Sequence, residues 1–333
     1  MIWILNNARP FHQLAVALLA LLLAFGSEVL LWPHAPNKTA VEWLLAVLLY
    51  PAIAALLLHL ASRYRMRDLF GLMALAGIYG ILNSLLINPA STLVDVPRTW
   101  FTRVLGAHSL IGLLMMSLFL ALLPFISRRR LIFAALITFG SGICWGTWAK
   151  WSPTFTASVN EPTPLTLMMG AAIINALAIG AIGWLLAKQD REQGRLLTLS
   201  RRGLALAILV LVIALIIRVS AGSVDVLSTV TLGTFVMISL GVLYYQERAR
   251  GSTLLDTVSQ FSGTRWIVLL ALSTGLLLVG GLIGYGLERG DAASDPVFVV
   301  TTLFTGYGIA WLPAVAGVLG ARALIRQARM GRL

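Results

Sequence analysis

Ionisable side chains inside apolar runs are where this sequence could do chemistry, because a charge left in hydrocarbon costs about 2.5–3.5 kcal/mol even on the mildest insertion scale. Two residues qualify. Glu28 lies near the end of an apolar run over 11–32, and Arg218 near the end of one over 203–221. With Asp225 in the next turn and His108 at the start of another run, they could form a charged vestibule for a polar or anionic head. Glu28 could pair with Arg218, Arg218 could reach Asp225, or both could snorkel to the membrane surface.

The deeper polar groups are neutral. Asn175 falls near the middle of its run, while Tyr79 and Asn83, four residues apart, share one helical face. Thr231, Thr234, Thr301, Thr305 and Tyr307 add hydroxyls. Such groups could line a polar path across the membrane, or they could serve only as interhelical hydrogen bonds of about 0.6–2 kcal/mol each.

Enzyme signatures fail. There is no His-rich box, no His-Glu-x-x-His, no Gly-x-Ser-x-Gly and no Walker loop, so no residue is assigned a catalytic role and no metal site is expected. Cys144 is the one cysteine, which rules out an intrachain disulfide.

The four histidines form a second candidate set. His34 and His108 map to one side of the membrane, and His12 and His59 to the other. A pair on each face is what a two-haem membrane protein would need, with imidazole as axial ligand. The competing reading is four separate histidines near helix ends. The stretch "CWGTWAKWSPTFTASVNEPTP" over 144–164 packs Trp145, Trp148 and Trp151 into a short space. Its "WGTWAKWSP" is similar to the Trp-rich segment of the haem-handling proteins of cytochrome c assembly, with Ser152 where that family has Asp. The resemblance covers only that phrase, and it implies haem as a cofactor with His34 and His108 as its ligands. The other expectation is an interfacial aromatic belt, shared with Trp32, Trp43 and Trp100.

The elements that must position these residues follow from composition. The chain of 333 residues is 59% hydrophobic and 11% charged with mean hydropathy +0.89, whereas soluble domains carry about 25% charged residues. Crossing about 30 Å of hydrocarbon takes about 20 apolar residues. Ten runs fit: 11–32, 41–62, 68–88, 104–126, 131–148, 164–187, 203–221, 226–246, 265–287 and 297–323. The expected fold is an all-α polytopic integral membrane helix bundle, one transmembrane domain over 1–333. The charged connection 188–202 could separate sub-bundles 1–187 and 203–333. The first run is too long for a signal-peptide core and reads as a retained span.

Net charge is +12, and its distribution sets topology. Nineteen of the 25 Lys and Arg fall on alternate connections, led by Arg63, Arg65, Arg67, Arg128, Arg129 and Arg130. The positive-inside rule then puts both termini in the cytoplasm. A basic collar spread over six connections suits anionic lipid headgroups and not nucleic acid. Spacings of four between small residues, at Gly142 and Gly146, Ala172 and Ala176, Gly280 and Gly284, and Ala316 and Gly320, predict close helix contacts, with the run over 265–287 central. Pro51 and Pro313 permit kinks. Two connections are expected along the membrane surface: "STLLDTVSQF", and a segment whose helix begins near Pro97 under an Asp95 cap.

Three functions are compatible with these features. The first is a permease-like carrier of a small polar or amphiphilic solute in the cell's cytoplasmic membrane, with Glu28, Tyr79, Asn83, Asn175, Arg218, Asp225 and Tyr307 on its path. The second is a haem- or quinone-associated electron-transfer or cofactor-handling subunit. The third is a non-catalytic subunit of a larger complex, with a membrane-protein partner or further copies of the chain. No inverted repeat is visible.

Overall fold

The computed structural model of the chain describes residues 10–31, 38–122, 128–151, 163–187, 197–247, 253–255, 263–288 and 295–329. All regular structure among them is helical. The long helices are α1 Pro10–Phe25, α2 Ala40–Arg63 and α3 Leu69–Leu82, then, after the single turn α4 Pro89–Thr92, α5 Ser109–Leu122 and α6 Arg128–Trp151. They continue with α7 Leu165–Ala187, α8 Arg201–Ser220, α9 Val226–Glu247, α10 Gly263–Gly286 and α11 Pro296–Arg329. Three π-helical segments extend three of the first four spans: π1 Gly26–Leu30 after α1, π2 Asn83–Ile87 after α3, and π3 Trp100–His108 leading into α5.

Among the described residues, nine helices are long and apolar enough to cross a membrane. The expected run not among the nine, 131–148, falls within α6, whose 24 residues rise about 36 Å. The protein is an all-α, multi-pass membrane bundle. Helices start where local chemistry supplies a cap for their first free N–H groups. Thr39 and Glu42 form a capping box at α2. Asp68 accepts from Gly71 N at 2.8 Å for α3, and Ser200 from Gly203 N at 3.1 Å for α8.

Tertiary contacts sort the connections between two ends. At one, His59 Nδ1 accepts from Leu199 N (3.1 Å), Met66 O accepts from Leu254 N (2.9 Å), and Arg322 pairs with Asp68. At the other, Trp145 reaches Val29, Trp100 reaches Ser228, and Arg218 reaches Leu86. The first end gathers the described Arg63, Arg65, Arg67, Arg201, Arg202, Arg322, Arg326 and Arg329, so the alternation of basic connections is also a spatial segregation.

The helices are not equivalent. In the first four spans, between 56% and 83% of the apolar window is buried inside the protein; in the last five it is 17–28%. The first four form the core, and the later helices wrap it, presenting rows such as Ile208, Val212 and Ile216 outward. Contacts cross the 188–202 connection throughout, as α2 meets α8, α3 meets α9 and α6 meets α10. The run over 265–287, expected at the centre, is instead α10 in the outer layer, paired along its length with α6. Its glycines do act as expected: a Cβ on Gly146 would overlap Gly281 O, and one on Gly284 would overlap Ile143 O, so the two backbones touch. Gly320 has open space around it and contributes no such contact.

The helix expected near Pro97 is not a separate surface element. It begins at Arg98 and runs straight through π3 into α5, and Trp100, expected at headgroup depth, is buried against Ser228. Of "STLLDTVSQF" only 253–255 belong to the described residues.

Candidate functional site

A π turn holds one residue more than an α turn, and such turns occur mostly as isolated insertions, frequently at functional sites. Three of them here lie in three of the four core spans and converge on one cluster. π1 supplies Ser27 and Glu28, π2 supplies Asn83, π3 supplies His108, α2 supplies Tyr50, and α3 supplies Tyr79. All six are buried.

Glu28 is the hub. Its Oε2 meets Lys38 Nζ at 2.5 Å, and both side chains are less than a tenth exposed. Its Oε1 accepts from Tyr50 OH at 2.6 Å and from Asn88 Nδ2 at 2.9 Å. Asn88 also donates to Asn83 Oδ1 at 2.9 Å, and Asn83 donates to Tyr50 OH at 3.0 Å and Tyr79 OH at 3.3 Å. Tyr79 OH donates to Leu23 O at 3.0 Å and lies 2.5 Å from Ser27 Oγ, which is 3.2 Å from His108 Nδ1. The result is one continuous chain of polar groups from Lys38 to His108. A carboxylate with one cation and two neutral donors has its charge matched and its lone pairs engaged, the condition for keeping it away from water.

The carbonyls that irregular helix ends leave open are met by side chains, as hydrocarbon requires. Trp145 Nε1 donates to Val29 O at 3.0 Å and Trp148 Nε1 to Leu31 O at 2.6 Å, both at the end of π1. Arg218 donates from Nε to Leu86 O at 3.0 Å and from Nη2 to Ile87 O at 3.4 Å at the end of π2. Ser109 Oγ, at the start of α5, donates to Val104 O of π3 at 2.9 Å. Trp145 and Trp148, expected to float at the membrane surface, are instead tethered to the backbone beside Glu28, with Trp145 buried. Trp43 is 40% exposed, with Lys38 Nζ 5.0 Å from its ring centre. Trp32 and the Trp151 side chain lie outside the described residues.

Of the residues singled out in the sequence, Glu28, Tyr79, Asn83 and His108 come together in this network. Arg218 stands nearby but pairs with Glu42 (3.6 Å) and neither with Glu28 nor with Asp225 among the described contacts. Asp225 caps α9, accepting from Ser228 N at 2.7 Å, and the hydrogen bonding to Ser228 holds its carboxyl below the ordinary range. Asn175 donates to Ala171 O of its own helix at 2.8 Å. Thr234, Thr301 and Thr305 likewise bond carbonyls of their own helices. The Tyr307 hydroxyl has no hydrogen-bond partner among the described residues, and the residue lines a shallow apolar groove with Leu110, Phe298 and Leu303. His12 is buried near His59 at the basic end, with neither ring nitrogen hydrogen-bonded among the described residues, while His59 holds Leu199 N. His34 lies outside the described residues, and no cluster of three or more metal-ligating side chains occurs among the described ones.

Ser27, Lys38, Tyr50 and Asn88 were not singled out by the sequence. One signal was available for Lys38: a buried carboxylate needs a cation, and Lys38 is the nearest in the chain. Tyr50 precedes Pro51 inside α2 and reads as an ordinary apolar position. No protein-family model, no curated protein and no solved structure matches this chain, so the geometry of the network stands as the functional signal.

Proposed function

We propose that this protein is a carrier for a small polar or amphiphilic solute, with its recognition site at the Glu28 network. Positive-inside topology puts that site toward the outer face of the cytoplasmic membrane, with both termini inside. The observation that carries the reading is the convergence of three π turns on one buried carboxylate. Irregular backbone at membrane depth is tolerated where it lines a site, and carriers build their binding sites from interrupted helices.

The geometry supplies a recognition step. Lys38 precedes α2, outside any helix, and holds only Oε2 of Glu28. A solute ammonium or hydroxyl that competes for Oε2 displaces Lys38, while Tyr50 and Asn88 keep Oε1 in place. The extra residue in each π turn gives its helix a second register one residue away, the kind of two-position element that a switching transition uses.

The test is flux from proteoliposomes loaded with a mixed polar metabolite extract, compared with protein-free vesicles. At least one solute should leave in a protein-dependent way, and Tyr79→Phe should slow it about tenfold, equivalent to about 1.4 kcal/mol, with only a modest fall in the thermal midpoint. Absence of protein-dependent flux for every solute, or a Tyr79→Phe protein that transports like the parent, overturns the reading.

A further inference from the structure

The Glu28 network ends on an ammonium. Lys38 Nζ touches two groups of different kinds: Glu28 Oε2 at 2.5 Å, and the ring of Trp43, over which it sits 5.0 Å from the centre. A carboxylate together with an indole face is a pair suited to an organic ammonium. The first supplies charge and an acceptor, and the second a ring quadrupole that attracts cations within about 6 Å. Glu28 is buried, whereas Trp43 is the member of the pair that reaches the surface.

Two features make the Lys38 ammonium exchangeable. Lys38 stands outside any helix, directly before the Thr39 cap of α2, and among the described residues its ammonium makes one hydrogen bond, to Oε2, although it carries three donors. The other carboxylate oxygen is held by Tyr50 and Asn88, so Glu28 keeps its orientation when Lys38 leaves. What replaces Lys38 must bring a charge. Arg218 is committed to Glu42 and to the carbonyls at the end of π2. A neutral hydroxyl at Oε2 would leave a buried carboxylate without its counter-charge, a strongly destabilised state, whereas an ammonium exchanges like for like.

We infer that the solute recognised at Glu28 is a primary organic ammonium, for which Lys38 is the tethered stand-in. The N–H groups of the solute meet Oε2, its charge lies over Trp43, and its carbons follow the line of the Lys38 methylenes. A lysine side chain is a butylammonium on a tether, so the site fits an amine with a stem of about four carbons. As a statement about what is carried, this rests on the carrier reading; as a statement about binding, it stands alone.

The test uses the full chain in phosphatidylcholine nanodiscs, with protein-free nanodiscs as the blank, and titration calorimetry with three probes: n-butylammonium chloride, n-butanol and tetramethylammonium chloride. n-Butylammonium should bind the parent saturably, one per chain. n-Butanol, with the same stem and no charge, should not bind, and tetramethylammonium, a cation without N–H, should bind at least tenfold more weakly. Lys38→Ala removes the tethered competitor and should bind n-butylammonium at least tenfold more tightly, with a thermal midpoint that rises with its concentration. Trp43→Leu, at a partly exposed position, should fold like the parent and weaken n-butylammonium about threefold to tenfold. Equal binding of n-butanol overturns the cationic head, and equal binding of tetramethylammonium overturns the N–H contact with Oε2. Binding to Lys38→Ala with none to the parent makes Lys38 a permanent structural partner and overturns the exchange. If Lys38→Ala does not fold, the parent and Trp43→Leu decide: no saturable binding to the parent, or binding unchanged in Trp43→Leu, overturns the site. Binding to the parent without protein-dependent flux of any solute keeps the site and removes the carrier reading; flux of a solute that has no amine, without n-butylammonium binding, does the reverse.

Discussion

The Glu28 network and the α6–α10 seam meet one physical problem with opposite means. Lipid tails are as apolar as leucine, so the hydrophobic effect does not draw helices together once they are in the bilayer. In the core of the first four spans, side chains do the joining, through a chain of hydrogen bonds from Lys38 to His108. In the seam, backbones do it: glycines at 142, 146, 280 and 284 let α6 and α10 approach until a single added carbon would collide with a carbonyl. The seam is set by backbone shape, whereas the network is made of side chains, one of which, Lys38, stands outside any helix. Joining by side chains and joining by backbones are thus placed in different helices, and Trp145 and Trp148, carried on α6, tie them through Val29 and Leu31.

Breaking the hub should produce the largest effect. Glu28→Leu leaves the Lys38 ammonium buried without its anion, and losing one partner of a buried pair costs about 3–5 kcal/mol. The thermal midpoint in detergent should fall sharply or folded protein should be lost. Glu28→Leu with Lys38→Met removes both charges and should recover much of that loss, while binding of any solute that needs the carboxylate is not recovered. A double variant as unstable as the single one would mean that the carboxylate's bonds to Tyr50 and Asn88 matter more than its charge.

Next is the seam. Gly284→Leu forces a side chain into Ile143 O and should cost about 1–3 kcal/mol or more, the usual range for overpacking. Gly320→Leu, on α11 where nothing lies within 4 Å, should leave the midpoint unchanged. The two glycines end the same four-residue spacing of small residues in the sequence, so the contrast tests the seam and not glycine itself. Equal midpoints for the two variants would refute the backbone contact.

That pair also shows what the sequence could express. The two ends of the bundle and the fold class were legible, because apolar run length and basic connections depend on local composition alone. Spacing of small residues was legible as a possibility, but which instance makes contact depends on which helix lies opposite. Within the site, Tyr79 and Asn83 were readable from their spacing of four, and Glu28 from the cost of burying it. Tyr50 and Ser27 were not, since a tyrosine or serine in an apolar run looks the same whether it faces lipid or a carboxylate. The π turns were unreadable for a related reason: the extra residue is fixed by tertiary partners such as Arg218 and Trp148, which come from distant spans.

The tie between the regions should be weaker than either. Trp148→Phe keeps the ring against Phe304 but removes the N–H that meets Leu31 O at 2.6 Å. Interhelical hydrogen bonds in membranes are worth about 0.6–1.7 kcal/mol, so the midpoint should drop modestly. The larger consequence should be on site geometry, because the end of π1 loses an anchor, and flux of the carried solute should slow with it. A midpoint drop as large as that of Gly284→Leu would show that the indole supports the seam itself.

The smallest effect is expected at Asn175, and it separates position in the membrane from participation in a site. By depth alone Asn175 is the most central polar side chain in its span, as favourable a candidate for a polar path as Asn83. Its amide, however, donates back to Ala171 O, four residues earlier on a helix whose apolar window is 17% buried. A side chain satisfied within its own turn neither joins helices nor offers groups to a solute. Asn175→Leu should therefore change stability by less than about 0.5 kcal/mol and leave flux intact, whereas Asn83→Leu removes bonds to Tyr50, Tyr79 and Asn88 together and should abolish flux. If flux instead fails in Asn175→Leu and survives in Asn83→Leu, the route runs through the outer helices and the buried network is only scaffolding.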